Sequence, residues 1–148
     1  MKRSVAFAVL LVLVGAFTAG CGGGDRIARI DATYKRTKAD LLQQIDALPP
    51  ASLYGAKVRA HVTSSLDGGQ GNVGVDAKLP ATATFVQMNS VADTIERTVW
   101  LSHLDPLGRI SIGVSRVGRP PFEVERLWQS DREPLRIKYG PRPDGLLQ

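Results

Sequence analysis

Two adjacent prolines, Pro49 and Pro50, separate a helical part of this sequence from a part in which apolar and polar residues alternate. Before the prolines, apolar residues recur at steps of three and four, which is the period of one face of an α-helix. These residues are Ile27, Ile30, Tyr34, Leu41, Ile45 and Leu48. Asp25 is a suitable N-cap, and the prolines end the pattern. The sequence therefore predicts one helix over residues 26–48.

After residue 50 the period falls to two, which is typical of β-strands with one buried face. The first two alternating runs have their apolar positions at Val58, Ala60 and Val62 and at Val73, Val75, Ala77 and Leu79. The glycine-rich residues 67–72 between them are typical of a turn, so the two runs are expected to form a hairpin. Further strands are predicted over residues 82–88, 94–102, 109–117, 122–128 and 135–139.

One helix followed by strands with short connections predicts an α+β fold. In this fold the N-terminal helix packs on an antiparallel, meander-type sheet of about six or seven strands. A single domain is expected over residues 26–139, with a flexible tail over residues 140–148. The expected core places Ile30, Leu41 and Ile45 of the helix against the strand residues Val58, Val62, Val75, Ile112 and Val114. The alternative is that residues 26–48 form a stalk, although the heptad pattern lasts for only about three repeats.

Residues 1–20 have the three-part pattern of a secretory signal. Lys2 and Arg3 provide a positive start, residues 5–17 are almost wholly apolar, and two small residues precede the expected cleavage site. The apolar run is shorter than the roughly 20 residues needed to span a bilayer, so a permanent membrane helix is not expected. Removal of the signal leaves a chain long enough for one domain.

Residues 17–21, in the order Phe-Thr-Ala-Gly-Cys, contain the only cysteine of the chain and precede three glycines. This run resembles the lipobox of bacterial lipoprotein signal peptides, although Thr18 stands where leucine is usual. The resemblance implies that Cys21 becomes the N-terminus and carries diacylglycerol and a further acyl chain such as palmitate. Residues 21–25 would then form a lipidated, glycine-rich tether. The alternative is an ordinary signal peptide that is cleaved elsewhere and leaves a free thiol.

The residue after the cysteine also bears on location. It is Gly22 rather than aspartate, and the lipoprotein resemblance then implies the periplasmic face of a bacterial outer membrane. In a bacterium with a single membrane, the same anchor would hold the domain on the outer face of the cell membrane.

The chain carries 19 Lys and Arg residues and 14 Asp and Glu residues, a formal net charge of +5. Loss of Lys2 and Arg3 with the signal reduces this excess. Between Arg109 and Arg142 the basic residues are interleaved with acidic ones, which is typical of a solvated surface. A polyanion site for lipid headgroups or a cell-wall polymer is the alternative, and nucleic acid is not expected in this location.

No cluster in the sequence is typical of a catalytic, cofactor or metal site, so an enzyme is not expected. Residues 69–74 match G-x-G-x-x-G, but a strand pattern follows them, whereas the dinucleotide fingerprint requires a helix. Ser102, His103 and Asp105 are neighbours at a predicted strand end, which does not arrange them as a triad. His61 is the one other histidine, and no spacing of ligands indicates zinc.

We therefore expect a non-enzymatic binding or assembly module, held on the membrane through Cys21 and contacting an envelope protein or a cell-wall partner. Tryptophan and arginine are frequent interface anchors. The candidate partner-binding residues are accordingly Trp100, Arg116, Arg119 and Arg126. Two alternatives are a small ligand-binding or hydrolytic lipoprotein with a pocket between helix and sheet, and an oligomeric stalk formed by residues 26–48.

Overall fold

The computed structural model describes residues 22–64, 71–105, 107–119, 122–129 and 131–143. Its helices are α1 (Gly22–Asp46), α2 (Pro50–Leu53), α3 (Phe85–Trp100) and α4 (Glu133–Tyr139). Its strands are β1 (Lys57–Ser64), β2 (Gly71–Leu79), β3 (Leu107–Arg116) and β4 (Val124–Trp128). No helix in this described part combines the length and the apolar character needed to cross a membrane. The predicted signal peptide and Cys21 lie outside the described residues.

The strands form one sheet in the order β1-β2-β3-β4. β1 and β2 are antiparallel, which confirms the predicted hairpin pairing, and β3 and β4 are also antiparallel. β2 and β3 are parallel. The predicted antiparallel meander of six or seven strands is therefore wrong, because within the described residues the sheet is mixed and has four strands. A parallel pair needs a crossover connection, and α3 provides it.

Residues 82–88 and 94–102 were predicted to be strands, but most of them belong to α3. A capping box begins this helix. The Thr84 hydroxyl accepts a hydrogen bond from the Gln87 N–H at 3.2 Å, and the Gln87 side chain accepts one from the Thr84 N–H at 2.8 Å. The apolar residues of the buried face recur with helical spacing at Met88, Val91, Ala92, Ile95 and Val99.

Residues 135–139, predicted to be the last strand, lie in α4. This helix begins at Glu133 and has Pro134 in its first turn, where the missing N–H of proline needs no intrahelical partner. Leu135 is buried and Ile137 is exposed, although a strand would place both on one face. The other two predicted strands, over residues 109–117 and 122–128, are found as β3 and β4 with bounds that differ by at most two residues.

The described helices pack on one face of the sheet, and none of them packs on the opposite face, here called the open face. α1 packs beside β1, whereas α3 packs over β2, β3 and β4. On β2, Val73, Val75 and Ala77 are buried, while Asp76 and Lys78 are exposed. Side chains of alternate strand residues therefore line either the core or the open face.

Most of the expected core is confirmed. The buried members are Leu41, Ile45, Val62, Val75, Ile112 and Val114. Val58 is half-buried, and the side chain of Ile30 lies outside the described part of the chain. The C-terminal half of α1 thus packs on the domain. The tether (residues 21–25) and the tail (residues 140–148) stay predictions, with the backbone of residues 22–25 described as helix.

Candidate functional site

The direction of α1 defines two ends of the domain. Near the middle of α1, the Tyr34 ring lies beside Gly71 and Leu104, since a Cβ on Gly71 would be 3.0 Å from both side chains. Gly71 is the first residue of β2. At the C-terminal end of α1, Ile45 lines a cavity together with Val58, near the start of β1. α1 therefore runs from the end where β2 and β3 begin, here called the entry end, to the end where they finish, here called the far end.

The turn from α2 into β1 lies at the far end. Tyr54 and Gly55 both have positive φ, at 49° and 75°. This left-handed region suits glycine but is unusual for tyrosine, so the turn holds Tyr54 in a less favourable conformation. Gly55 lies close to the loop that follows β2, because a Cβ on it would be 3.7 Å from the ring of Pro80.

The β3–β4 turn is fixed to the same end of the sheet. The Val117 N–H donates to the Leu79 carbonyl at 2.9 Å, and the Arg116 guanidinium donates to the Ala83 carbonyl at 3.3 Å. Arg116 also forms an ion pair with Glu123, in which its Nε–H donates to the carboxylate at 2.9 Å. This hydrogen bond is the main cause that lowers the pKa of Glu123. Three connections therefore meet at the far end and form a structured surface: the α2–β1 turn, the β2–α3 loop and the β3–β4 turn.

Large apolar side chains are exposed at the far end. Phe85 and Val86 begin α3 and are 61% and 77% exposed. Tyr54 and Val117 are exposed in the two turns described above. The remaining exposed large apolar residues of the described chain are Phe122, Leu127 and Ile137. Because clustered apolar exposure often indicates an interaction site, the far end is the candidate functional site.

A groove of about 560 Å³ continues from the far end along α3 towards α4. Its apolar end is formed by Phe85 and Val86. Its other lining residues are Asn89, Ser90, Asp93, Thr94, Arg97, Lys138 and Tyr139. The groove therefore extends the far-end surface along one side of the domain, from an apolar region to a charged one.

A fully buried carboxylate, that of Glu96, holds the α4 wall of this groove in place. It accepts hydrogen bonds from the Trp128 indole N–H at 2.6 Å, the Tyr139 hydroxyl at 2.8 Å and the Lys138 ammonium at 2.9 Å. The Lys138 ammonium also donates to Asp93 at 2.7 Å. Such donors offset the desolvation of a buried carboxylate. The Glu96 network consequently ties α4 and β4 to α3.

The Glu96 network shifts the pKa values of Lys138 and Tyr139. Burial acts to lower the pKa of Lys138, but hydrogen bonds with Asp93, Tyr139 and Glu96 outweigh burial and hold that pKa above its usual value. Burial raises the pKa of Tyr139 to about 12. The hydrogen bond with Lys138 opposes that increase, whereas the hydrogen bond to Glu96 adds to it.

We expect the stability of the domain to fall as the pH rises from 10 towards 12. Lys138 and Tyr139 both hold their protons more firmly in the folded chain than in the unfolded chain. Their stabilisation is therefore complete below about pH 10. The contribution of Tyr139 is lost as the pH rises to its folded-state pKa of about 12, and the contribution of Lys138 decreases over the same interval. Melting temperatures measured across this interval should decrease less in Tyr139→Phe than in the wild type. Tyr54→Phe, which changes an exposed tyrosine, is the control, and equal behaviour of the two variants would contradict the prediction.

The exposed cations of the far end include two lysines on the open face of the sheet. Lys57 and Lys78 are directly opposite each other in the β1–β2 pair. Like charges in this position destabilise an antiparallel pair. Neither ammonium forms an ion pair with a carboxylate among the described residues. Arg119, in the β3–β4 turn, is a further exposed cation.

The structure brings together only part of the predicted partner-binding set. Arg116 and Arg119 both lie at the far end. Arg126 is half-buried and donates to the side-chain oxygen of Asn89 at 2.7 Å. Trp100 is only 4% exposed, lies at the other end of α3 and donates its indole N–H to a backbone carbonyl at 2.9 Å. A partner-binding role for these four residues stays a prediction, and Arg119 is the one whose side chain is most accessible.

Sequence reasoning missed the apolar part of the far end. Phe85 and Val86 fell within a predicted strand, and Tyr54 and Val117 were not singled out. The available signal was the spacing of Thr84 and Gln87, which fits a capping box. A helix that begins there places Val86 away from the buried face of α3.

The described residues do not bring together an arrangement typical of catalysis. The Ser102 hydroxyl donates to the Val99 carbonyl at 2.7 Å and accepts from the Leu104 N–H at 3.4 Å, so it is occupied at the end of α3. The His61 ring lies over Gly74 on the open face. No group of three or more potential metal ligands is found within the described part of the chain.

Comparison with known proteins does not assign the chain to a family, because no family model, curated protein or solved structure matches it.

Proposed function

We propose that this chain is an envelope lipoprotein, anchored through acylated Cys21, that acts as a non-enzymatic binding or assembly module. The observation that carries the proposal is the exposure of Phe85, Val86, Tyr54 and Val117 at the end of the domain opposite to the start of α1. Apolar side chains that are grouped in this way are a common feature of surfaces that bind other proteins.

The position of the anchor determines how the far end is oriented relative to the membrane. Cys21 immediately precedes α1, and the helical rise from Gly22 to Tyr34 is about 18 Å. Tyr34 contacts the entry end of the sheet, and α1 then continues to the far end. Acyl chains on Cys21 would hold the entry end towards the membrane. The far end would then face away from that membrane, where an envelope partner can reach it.

The side chains of the far end suit binding better than catalysis. Aromatic residues and arginine are enriched at the centres of interfaces, and this surface presents Phe85, Tyr54 and Arg119. Two polar groups there already have structural partners, since the Thr84 hydroxyl caps α3 and Glu123 is paired with Arg116.

One cavity favours the ligand-binding alternative. It has a volume of about 290 Å³ and lies between α1, α2 and β1. Its lining residues are Ile45, Asp46, Leu48, Pro50, Leu53, Gly55, Ala56 and Val58. Its side chains are apolar except for the Asp46 carboxylate and include no nucleophile, so the cavity suits binding of a small ligand better than a hydrolytic reaction.

The proposed location is the periplasmic face of the outer membrane, or the outer face of the cell membrane in a bacterium with one membrane. Gly22, in place of aspartate, supports the first of these through the lipoprotein resemblance. The proposed partner is an envelope protein or a component of the cell wall.

Replacing both exposed residues at the start of α3, in Phe85→Ser/Val86→Ser, should release the partner while the domain remains folded and on the membrane. Full-length protein would be solubilised from membranes with detergent, and its associated components compared between variants. The expected loss follows from removal of exposed apolar contacts, while the melting temperature should change little because neither side chain is buried. Cys21→Ala should instead leave the chain unprocessed, with its signal peptide retained, or mislocalised.

Leu127→Ser is the matched control, because Leu127 is 51% exposed but lies on β4, away from the start of α3. This variant should retain the partner. Loss of the partner in Leu127→Ser with retention in Phe85→Ser/Val86→Ser would place the binding surface elsewhere. Wild-type protein with a free Cys21 thiol in the soluble fraction would contradict the anchor.

A further inference from the structure

The two lysines on the open face of the hairpin form an unusual pair. In the β1–β2 register Lys57 is the direct partner of Lys78. Their Cα atoms are therefore about 5 Å apart, and both side chains stand on the same face of the sheet. Both are exposed, and no described carboxylate is paired with either ammonium. A sheet gains stability from opposite charges at such a position, so this pair opposes folding rather than supporting it.

The lysines adjoin the apolar side chains of the far end. Lys57 follows Tyr54 by three residues, across the turn that contacts Pro80. Lys78 precedes Leu79, whose carbonyl accepts the hydrogen bond from Val117. The strand partner of Lys78 on its other side is Ser115 in β3, which leads into the turn that carries Arg119. Ser115 itself is buried, but the cations and the exposed apolar groups all lie at the same end of the sheet.

We propose that the far end recognises an acidic protein segment that carries apolar side chains, with its carboxylates at Lys57, Lys78 and Arg119. This inference rests on the proposed binding function and names the chemistry of the partner. Carboxylates placed between the two ammonium groups would relieve their mutual repulsion, which gives binding a gain that the free domain lacks. Apolar side chains of the same segment would contact Tyr54 and Val117.

Two other occupants fit the surface less well. A second copy that packs its own far end against this one would bring cations against cations, and like charges across an interface are unfavourable. The headgroups of the anchoring membrane are also poorly placed, because α1 starts at the entry end and the cations lie at the far end. An acidic segment of another envelope protein has a charge complementary to the lysines and can reach the far end, which faces away from the anchoring membrane.

The test uses full-length lipoprotein in nanodiscs of zwitterionic lipid and a fluorescent peptide that alternates glutamate with leucine and phenylalanine. Lys78→Glu should weaken binding of this peptide by about tenfold or more, because it removes one attraction and adds a repulsion. The same variant should melt at a higher temperature than the wild type, since it replaces a repulsive cross-strand pair with an attractive one. If Lys78 had only a structural role, its replacement would not weaken peptide binding while raising the melting temperature.

Arg109→Glu is the matched control, because it makes the same change in net charge at an exposed position near the start of β3, at the entry end. It should leave peptide binding within about twofold of the wild type, since exposed charges at this distance are screened by salt. Equal losses in both variants would mean that only net charge matters and would overturn the proposal. Equal affinity for a peptide with lysine in place of glutamate, or binding to phosphatidylglycerol vesicles but not to the acidic peptide, would also overturn it.

The two proposals fail in different ways. If Phe85→Ser/Val86→Ser releases the native partner but Lys78→Glu retains it, the binding function stands and the acidic chemistry is wrong. If neither variant releases the partner, the far end is not the binding surface and both proposals are wrong.

Discussion

Leu41→Ala should lower the free energy of unfolding by about 2–5 kcal/mol, the range observed for buried leucines truncated to alanine. Leu41 is fully buried on α1, next to the likewise buried Thr37 and Ile45 on the same helix face. Truncation removes apolar contacts and leaves a cavity that the surrounding helices and sheet can close only in part. Chemical denaturation of the wild type and the variant, followed by circular dichroism, measures the difference.

Gln43→Ala is the control for Leu41, because Gln43 is exposed on the same helix. Alanine is also a good helix former, so this change should alter stability by less than about 0.5 kcal/mol. Similar unfolding curves for Leu41→Ala and Gln43→Ala would show that α1 does not pack on the sheet. The stalk alternative for residues 26–48 would then be favoured.

The β1–β2 hairpin could be predicted because its local signals agree with its tertiary environment. Both strands lie with one face on the core, so apolar and polar residues alternate from Val58 to Val62 and from Val73 to Leu79. Glycine-rich residues between them favoured a turn. Such segments can be predicted from sequence because the local pattern agrees with the burial of the residues in the folded structure.

α3 was misread because its composition resembles that of a strand. Thr94 and Thr98 are β-branched and favour strands, but each donates its hydroxyl to a backbone carbonyl four residues earlier, at 2.9 Å. Tertiary burial of the face that includes Ile95 then outweighs local propensity. The helical period and the capping box were present in the sequence, but the short apolar runs fitted both periods.

The wrong prediction for α3 alone led to a wrong predicted topology for the whole sheet. With residues 82–102 taken as strands, every connection was short, and short connections imply antiparallel neighbours. With α3 in its place, β2 and β3 are joined by a crossover and become parallel. α4 was misread for a related reason, since three alternating residues, Leu135, Ile137 and Tyr139, are too few to define a period.

The candidate site could be predicted only in part. Lys57 and Lys78 fell on the polar positions of the hairpin, but their direct opposition depends on the register, which the sequence did not define. The exposure of Phe85 and Val86 depends on which neighbours pack over them, and no local pattern specifies this. Trp100 was predicted to lie in a strand, but it lies in α3, where the core and the segment after α4 bury it.

Removing the buried carboxylate in Glu96→Ala should lower the free energy of unfolding by about 2–4 kcal/mol, because buried donors that lose a charged acceptor are costly. The Trp128 indole N–H would lose its acceptor, and the Tyr139 hydroxyl would keep only the longer hydrogen bond to the Asp93 carbonyl at 3.2 Å, whereas Lys138 would keep its ion pair with Asp93. The effect should be concentrated in α4, since the network is its main polar connection to α3. Hydrogen exchange of the amides in Glu133–Tyr139 should therefore accelerate more than that of amides in the hairpin.

Glu125→Ala is the control, because Glu125 is an exposed carboxylate on β4 and its loss should change stability by less than about 0.5 kcal/mol. The double variant Glu96→Ala/Tyr139→Phe tests the network directly. Once Glu96 is gone, removal of the Tyr139 hydroxyl should cost much less than in the wild type, which gives a coupling energy of about 0.5–3 kcal/mol. Strict additivity would mean that the two side chains do not interact. Since α4 forms one wall of the groove that continues from Phe85 and Val86, Glu96→Ala should also alter that groove while leaving the lysine pair of the hairpin unchanged.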